Sequence, residues 1–169
     1  APEAGISAIL VAAQAFTKMK LGRIDHETTA NIGVIQGGVA TNIIPDRIDF
    51  KGEARSLNNT KLDQQIEHMV EAINTTCAEF GVKADIRVDH SYSAFGLTDD
   101  DYVVKLASQA AQAIGLEPRL ESTGGGSDAN IINGYGIPSV VLGMGYTDVH
   151  TTQEAIPVTQ LVAAAKYVL

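Results

Sequence analysis

The sequence has no tryptophan, a single cysteine and few lysines and arginines among its 169 residues. One cysteine, Cys77, excludes an internal disulfide and suits the reducing cytoplasm. No apolar run approaches the roughly 20 residues that a membrane-spanning helix needs, so no membrane partner is expected. Twelve basic residues stand against twenty acidic ones, and the net charge of −8 argues against nucleic acid as a partner.

What is present indicates a folded protein of one domain or two small ones. Hydrophobic residues make up 45% of the chain and charged residues 19%, which is typical of globular domains rather than of disordered segments. We find no internal repeat and no low-complexity tract. The character of the sequence changes near residue 92, and we therefore predict two domains, over residues 1–92 and 93–169.

The first domain is predicted to run helix, strand, strand, helix, strand. The clearest strand is 47–55, in which Ile48 and Phe50 alternate with charged residues, as in a half-solvated antiparallel strand. This order is a ferredoxin-like βαββαβ unit without its first strand, which leaves a sheet edge exposed. The predicted elements are a helix from Pro2 to Gly22, a strand over 29–36 with Ile32 and Val34 on one face, the strand over 47–55, a helix from Asn58 to Gly81 and a strand over 82–88.

The second domain alternates helices with short strands, as α/β layers do. A capping box of Thr98 and Asp101 opens its first helix. The two or three predicted strands are too few for an independent sheet. The remaining predicted elements are a strand over 119–123, a helix opening at Asp128, a buried strand over the apolar run 137–142 and a last helix after Pro157.

A glycine turn lies between the predicted strand 119–123 and the predicted helix. Gly124, Gly125 and Gly126 leave backbone N–H groups open to a ligand, and Ser127 is a good N-cap. Three interpretations stay open: a tight structural turn, a site for a small carboxylate at the helix N-terminus, or a relaxed dinucleotide fingerprint. The absence of a P-loop lysine excludes a nucleotide P-loop.

His150 follows the predicted strand 137–142 and is the one histidine placed where a site is expected. A zinc site needs at least three protein ligands, and Asp148 and Glu154 are neighbours that could assist. Taken alone, Asn42 is predicted to be a loop residue and Arg55 a residue at a strand end. Arginine can nevertheless bind a carboxylate, and asparagine can donate a hydrogen bond to an oxyanion. The other histidines are predicted to lie on the surface: His26, His68 and His90.

Several segments taken together carry a family resemblance. In order they are APEAGISAI at 1–9, LGRIDHETTANIG at 21–33, GGVATNIIPD at 37–46, GEARS at 52–56, GGGSDAN at 124–130 and VHTTQEAI at 149–156. Because of these segments, the chain resembles the peptidase T-like branch of a metallopeptidase family from end to end. That family also contains aminoacylases, succinyl-diaminopimelate desuccinylase and glutamate carboxypeptidases.

The resemblance implies a mixed α+β and α/β fold in two parts. Residues 1–92 correspond to a ferredoxin-like lid that dimerises, and residues 93–169 correspond to the C-terminal part of a catalytic domain that binds two zinc ions. It also implies roles for individual residues. His150 matches a metal ligand, Asn42 and Arg55 match residues that contact the substrate, and the glycine loop with Ser127 matches a substrate-binding loop.

The resemblance further implies that this chain lacks most of the catalytic machinery. The other metal ligands and the general-base glutamate belong to a segment N-terminal to Ala1, so no catalytic residue is predicted here. We therefore expect part of a cytoplasmic, homodimeric exopeptidase that cleaves short peptides with a metal-activated water, as tripeptide aminopeptidases do. By itself the chain is expected to bind zinc weakly and to be inactive. The alternatives are a non-catalytic dimerisation module with a small-carboxylate pocket and, third, a dinucleotide-binding protein.

Overall fold

The computed structural model describes residues 1–169, which divide into two units, Ala1–Ala94 and Phe95–Leu169. The boundary lies close to residue 92. The identification of the two units with a lid and a part of a catalytic domain stays a prediction, and each unit is described by itself.

The first unit places helices against a three-stranded antiparallel sheet of order β1-β2-β3. This mixed α+β arrangement confirms the predicted fold class. After a short 3₁₀ turn at Pro2–Ala4, its elements are α1 (Ala8–Lys18), β1 (Gly22–Arg23), β2 (Thr28–Gly37), β3 (Ile48–Ser56) and α2 (Asn59–Glu79).

The ends of the two helices follow local capping signals. The helix predicted from Pro2 begins instead at Ala8, because the Oγ of Ser7 accepts a hydrogen bond from the N–H of Leu10 at 3.3 Å. The second helix begins as predicted, since the Oδ1 of Asn58 accepts from the N–H of Lys61 at 3.2 Å.

A bulge in β2 changes which of its side chains share a face. Ile32 pairs with Gly52 but Val34 pairs with Lys51, so the register shifts at the residue between them. Ile32 packs against the core, whereas Val34 lies opposite a solvated lysine and is 44% exposed. The prediction that Ile32 and Val34 share a face is therefore wrong, because the bulge interrupts the period of two.

The core of the first unit lies between its two long helices and the sheet. Phe16 of α1 meets Phe50 of β3 edge to face, with ring centroids 4.8 Å apart. The buried cluster consists of Val11, Ala15, Met19, Ala72, Ile73 and Cys77.

The strand predicted over 82–88 does not form. Val82 and Ile86 pack against the core, but no residue of this segment pairs with a strand. In a ferredoxin-like unit the last strand pairs with the first, and the first strand is the one the sequence pattern lacks. The segment therefore keeps its apolar contacts without a strand to pair with.

The second unit contains three helices and no strand longer than one residue. They are α3 (Tyr102–Ala113), α4 (Asp128–Gly134) and α5 (Val158–Val168), and one isolated bridge joins Thr147 to Ala155. The strands predicted over 119–123 and 137–142 are absent, because neither segment has a strand beside it to pair with.

The second unit buries few of its residues. Its buried residues are Val104, Ala111, Ala129 and Asn130, and α5 buries none of its residues. The apolar run predicted as a buried strand is instead open, with Ile137 58% and Val141 57% exposed. Neither unit contains a helix with the length and hydropathy of a membrane span.

Candidate functional site

His150 lies in a compact loop that closes on itself. The backbones of Thr147 and Ala155 hydrogen-bond in both directions, at 2.8 and 3.2 Å. Between them, Asp148 and His150 adopt left-handed backbone conformations, with φ of 51° and 66°. Non-glycine residues rarely adopt these angles, and such strain concentrates at functional sites.

The Glu154 carboxylate holds this loop in shape. Its Oε2 accepts a hydrogen bond from the backbone N–H of His150 at 2.8 Å. The imidazole of His150 makes no hydrogen bond or ion pair and the residue is exposed, so both ring nitrogens are accessible. A neutral imidazole in this position is a suitable metal ligand.

The residues present do not complete a metal centre around His150. The one close group of possible ligands is Asp25, His26 and Glu27, in the first unit. The Lys61 ammonium pairs with both of its carboxylates, because Nζ lies 3.0 Å from Asp25 Oδ2 and 2.6 Å from Glu27 Oε1. Backbone N–H groups and Lys61 also hold the pKa of Asp25 well below its usual range. Two zinc ions need more ligands than this chain brings together.

The glycine loop is open on the side where a ligand would approach. A Cβ built at Gly124 would meet nothing within 4 Å, and at Gly125 its nearest neighbour is Thr123 Oγ1 at 3.8 Å. The fold of this chain therefore does not itself require glycine at either position. A ligand that contacts the backbone closely would require it.

One backbone N–H of the predicted anion site already has a hydrogen-bond acceptor within the chain. Ser127 is the N-cap of α4 as predicted, but its own N–H donates to Asn130 Oδ1 at 2.9 Å. The helix it caps has seven residues, so its dipole is short. The N–H groups of the three glycines make no backbone hydrogen bond and stay available.

The structural context of a dinucleotide fingerprint is missing. That motif needs a strand before the glycines and a full helix after them. The segment 119–123 is not a strand, and Asp148, the candidate ribose ligand, lies in the strained loop. Both features weigh against dinucleotide binding.

Asn42 and Arg55 both lie at the surface of the first unit. Asn42 is exposed in a turn before β3, and Arg55 lies on the solvated face of that strand. The Arg55 guanidinium is 3.1 Å from the Glu53 carboxylate, and that hydrogen bond raises the pKa of Arg55. A substrate carboxylate bound by Arg55 would compete with Glu53 for it.

The predicted site residues are divided between the two units. Within the first unit no hydrogen bond or ion pair joins Asn42 to Arg55, and within the second none joins His150 to the glycine loop. Their joint role in one site therefore stays a prediction.

One histidine predicted to be a surface residue makes a structural contact that no local sequence pattern indicates. His68 Nε2 accepts from the N–H of Lys20 at 3.1 Å, while Gln65 donates to the carbonyl of Lys20 at 2.8 Å. Helix α2 thus fixes the chain between α1 and β1, which assigns His68 to the fold rather than to a metal.

Known proteins resemble this chain along its whole length. Residues 1–81 match the peptidase dimerisation domain of the M20 peptidases. An aminopeptidase PepT from Bacillus cereus is 51% identical with a TM-score of 0.86, and a tripeptidase from Staphylococcus aureus is 46% identical with a TM-score of 0.91. An uncharacterised protein of Bacillus subtilis, YqjE, is 46% identical.

Each of these three matches covers 99% of this chain but 45% of the longer protein. The chain thus spans about half the length of the relatives it matches. The similarity includes both units, and with them the glycine loop and the His150 loop.

Proposed function

We propose that this chain belongs to the M20 peptidase family and is part of a metal-dependent aminopeptidase that acts on short peptides, since it shares its fold with an aminopeptidase and a tripeptidase. The observation that carries the proposal is the match to both enzymes over 99% of the chain at 46–51% identity. The small number of buried residues in the second unit supports the proposal, since such a unit is expected to complete its core against further polypeptide. A cytoplasmic location is part of the proposal.

The substrate class is tested with the complete polypeptide that contains these 169 residues. We expect it to release the N-terminal residue of unmodified tripeptides and to leave N-succinylated amino acids intact, with product release followed by chromatography. Cleavage of the succinylated substrate in preference to the tripeptide would contradict the aminopeptidase assignment and favour a desuccinylase.

His150 is the residue that we assign to metal binding. Its imidazole is free, and Glu154 fixes the backbone from which it projects. Bound zinc ions would supply an activated water and polarise the peptide carbonyl. The residues of this chain do not fit a complete dinuclear centre, so the remaining ligands and the general base are assigned to the part of the enzyme outside these residues. The isolated chain is accordingly proposed to be inactive.

The glycine loop and Arg55 are assigned to substrate binding. Free glycine N–H groups suit a carboxylate or a peptide carbonyl oxygen, and the exposed guanidinium of Arg55 suits a carboxylate. Asn42 is assigned to the substrate carbonyl, to which its side-chain amide can donate. Ser127 contributes as the cap that fixes the end of the loop.

Gly125→Ala in the complete polypeptide is expected to lower kcat/KM for a tripeptide at least about tenfold, or about 1.4 kcal/mol. The added methyl group has room within this chain but would separate a bound substrate from the backbone N–H groups. Gly134→Ala is the control, because its Cβ also meets nothing within 4 Å and it lies at the far end of α4. Equal kcat/KM values for the two variants would show that the glycine loop is not part of the substrate-binding site.

A second role, in dimerisation, has its own support. Residues 1–81 match a peptidase dimerisation domain, and β1 covers only the first part of the outer edge of β2. Beyond the pair Gly22–Ala30, that edge runs unpaired to Gly37. Unpaired strand edges readily pair with another chain, and we propose that this unit forms a homodimer.

A further inference from the structure

A polar cleft of about 270 Å³ lies in the first unit, between helix α2 and the chain that leads from α1 into β2. This volume is just below the range of about 300–1,000 Å³ that is typical of small-molecule sites, so the cleft has room for a small metabolite. No residue that lines it is among the predicted site residues. Its polar lining includes Lys20, Asp25, Lys61, Gln64, Gln65 and His68.

Helix α2 forms one wall of the cleft over two turns. Lys61, Gln65 and His68 recur at intervals of four and three residues, which places them on one face of the helix. At a rise of about 1.5 Å per residue, Lys61 and His68 are about 10 Å apart along the helix axis. The cleft therefore has two ends, with Lys61 beside Asp25 at one and His68 beside Lys20 at the other.

Gln65 is nearly buried and has an unused acceptor. The residue is 5% exposed, and its Nε2 donates to the carbonyl of Lys20 at 2.8 Å. Its Oε1 accepts no hydrogen bond within the chain, and it is not fully buried in the cleft that Gln65 lines. Polar atoms of buried residues nearly always have a partner. An amide oxygen in this position suits a donor that a ligand supplies, such as an ammonium group.

His68 and Lys20 offer donors at one end of the cleft. His68 Nε2 accepts from the backbone N–H of Lys20 at 3.1 Å, so the proton of the neutral ring lies on Nδ1. That N–H has no acceptor within the chain, and the Lys20 ammonium makes no hydrogen bond or ion pair. An imidazole N–H and an unpaired ammonium at the same end of a cleft suit a carboxylate.

The opposite end of the cleft is acidic. Lys61 Nζ lies 3.0 Å from Asp25 Oδ2 and 2.6 Å from Glu27 Oε1, so two carboxylates share one ammonium and leave a net negative charge. The unpaired Lys20 ammonium gives the other end a positive charge. A simple anion would match the Lys20 end alone, whereas a zwitterion matches both ends.

We propose that this cleft binds a free, small α-amino acid. The carboxylate of the ligand accepts from His68 Nδ1 and the Lys20 ammonium, and its ammonium donates to Gln65 Oε1 on the side towards Asp25. Gln65 and His68 are neighbours on the helix, with Cβ atoms about 5–6 Å apart. The two charged groups of an α-amino acid are attached to one carbon atom, so they are close enough together to reach both side chains. The proposal does not rest on the proposed function.

The test is an NMR titration of the 169-residue chain with L-alanine. We expect saturable shifts of the Lys20 amide and of the Gln65 and His68 side chains, with half-saturation below about 10 mM. N-acetyl-L-alanine lacks the ammonium and L-alanine amide lacks the carboxylate. Each is expected to bind at least about tenfold more weakly, because each loses the hydrogen bonds of one charged group.

Two variants remove the proposed donors without removing the contact between α2 and the backbone of Lys20. Lys20→Met deletes the ammonium only, and His68→Gln keeps an acceptor near the place of Nε2 while it deletes the Nδ1–H. Each is expected to weaken alanine binding at least about fivefold, with the midpoint of thermal unfolding within about 3 °C of the parent. Lys83→Met is the control, because Lys83 is also exposed and unpaired in the first unit. It should change binding less than about twofold.

Three results would overturn the proposal. They are the absence of saturable shifts at Lys20, Gln65 and His68, equal binding of L-alanine and either derivative, and equal weakening by Lys20→Met and Lys83→Met. Equal binding of N-acetyl-L-alanine would indicate an adventitious anion site only. Failure here would leave the peptidase assignment intact, because the hydrolysis tests use none of these residues.

Discussion

His150→Ala in the complete polypeptide is expected to lower kcat/KM for a tripeptide at least about a thousandfold, which corresponds to about 4 kcal/mol of transition-state stabilisation. His150 is the residue proposed to bind metal, and its loop holds it in a strained conformation through the hydrogen bond to Glu154. Losing one imidazole from a site with three or four ligands should release that metal ion. We expect metal content, measured by plasma emission spectrometry, to fall from about two ions per chain to about one.

The matched control for His150→Ala is His90→Ala. His90 is also exposed and makes no hydrogen bond or ion pair, but it lies in the first unit. This variant should keep its metal content and its activity within about twofold. Full metal content and activity in the His150 variant would show that the metal ligand lies elsewhere.

Gly52→Ala is expected to destabilise the first unit by about 2 kcal/mol, because overpacking a tight site costs about 1–3 kcal/mol. An added Cβ would lie 2.8 Å from Ile32 Cδ1, 3.0 Å from the carbonyl oxygen of Asn31 and 3.3 Å from Met69 Cε. The carbonyl belongs to the neighbouring strand and cannot move without disturbing the ladder. For a unit of this size we expect the midpoint of thermal unfolding, followed by circular dichroism, to fall by about 10 °C.

Gly33→Ala makes the same chemical change on the neighbouring strand without the collision. Its Cβ would have one neighbour, Asn31 Nδ2 at 3.7 Å, and its φ is not left-handed. Stability within about 0.5 kcal/mol of the parent is therefore expected. Equal unfolding midpoints for the two variants would show that the contacts around Gly52 are looser than the structure describes.

Elements with strong local signals could be predicted from the sequence. Helix α2 follows from the cap at Asn58, an apolar stripe and Gly81, whose φ of 67° suits glycine at a helix end. Strand β3 follows from its period of two, and the start of α4 from Ser127. In each case the information lies within a few neighbouring residues.

Elements that depend on a distant partner could not be predicted. The segments 82–88 and 137–142 have strand-like composition, but a strand forms only where a neighbouring strand can hydrogen-bond to its backbone. The bulge between Ile32 and Val34 is likewise set by the register with β3. For the candidate site, the family resemblance matched His150 to a metal ligand, whereas the hydrogen bond that its backbone N–H donates to Glu154 needed coordinates.

We propose that this chain carries one metal ligand and part of a substrate site, and that a longer polypeptide supplies the remainder of that site. The most direct measurement is a calorimetric zinc titration, with tripeptide hydrolysis assayed in the same samples, of the 169-residue chain beside the complete polypeptide. We expect no sub-micromolar zinc binding and no turnover for the chain alone, and two zinc ions with turnover for the complete polypeptide. Two tightly bound ions and turnover in the isolated chain, with its intact mass verified, would contradict the account.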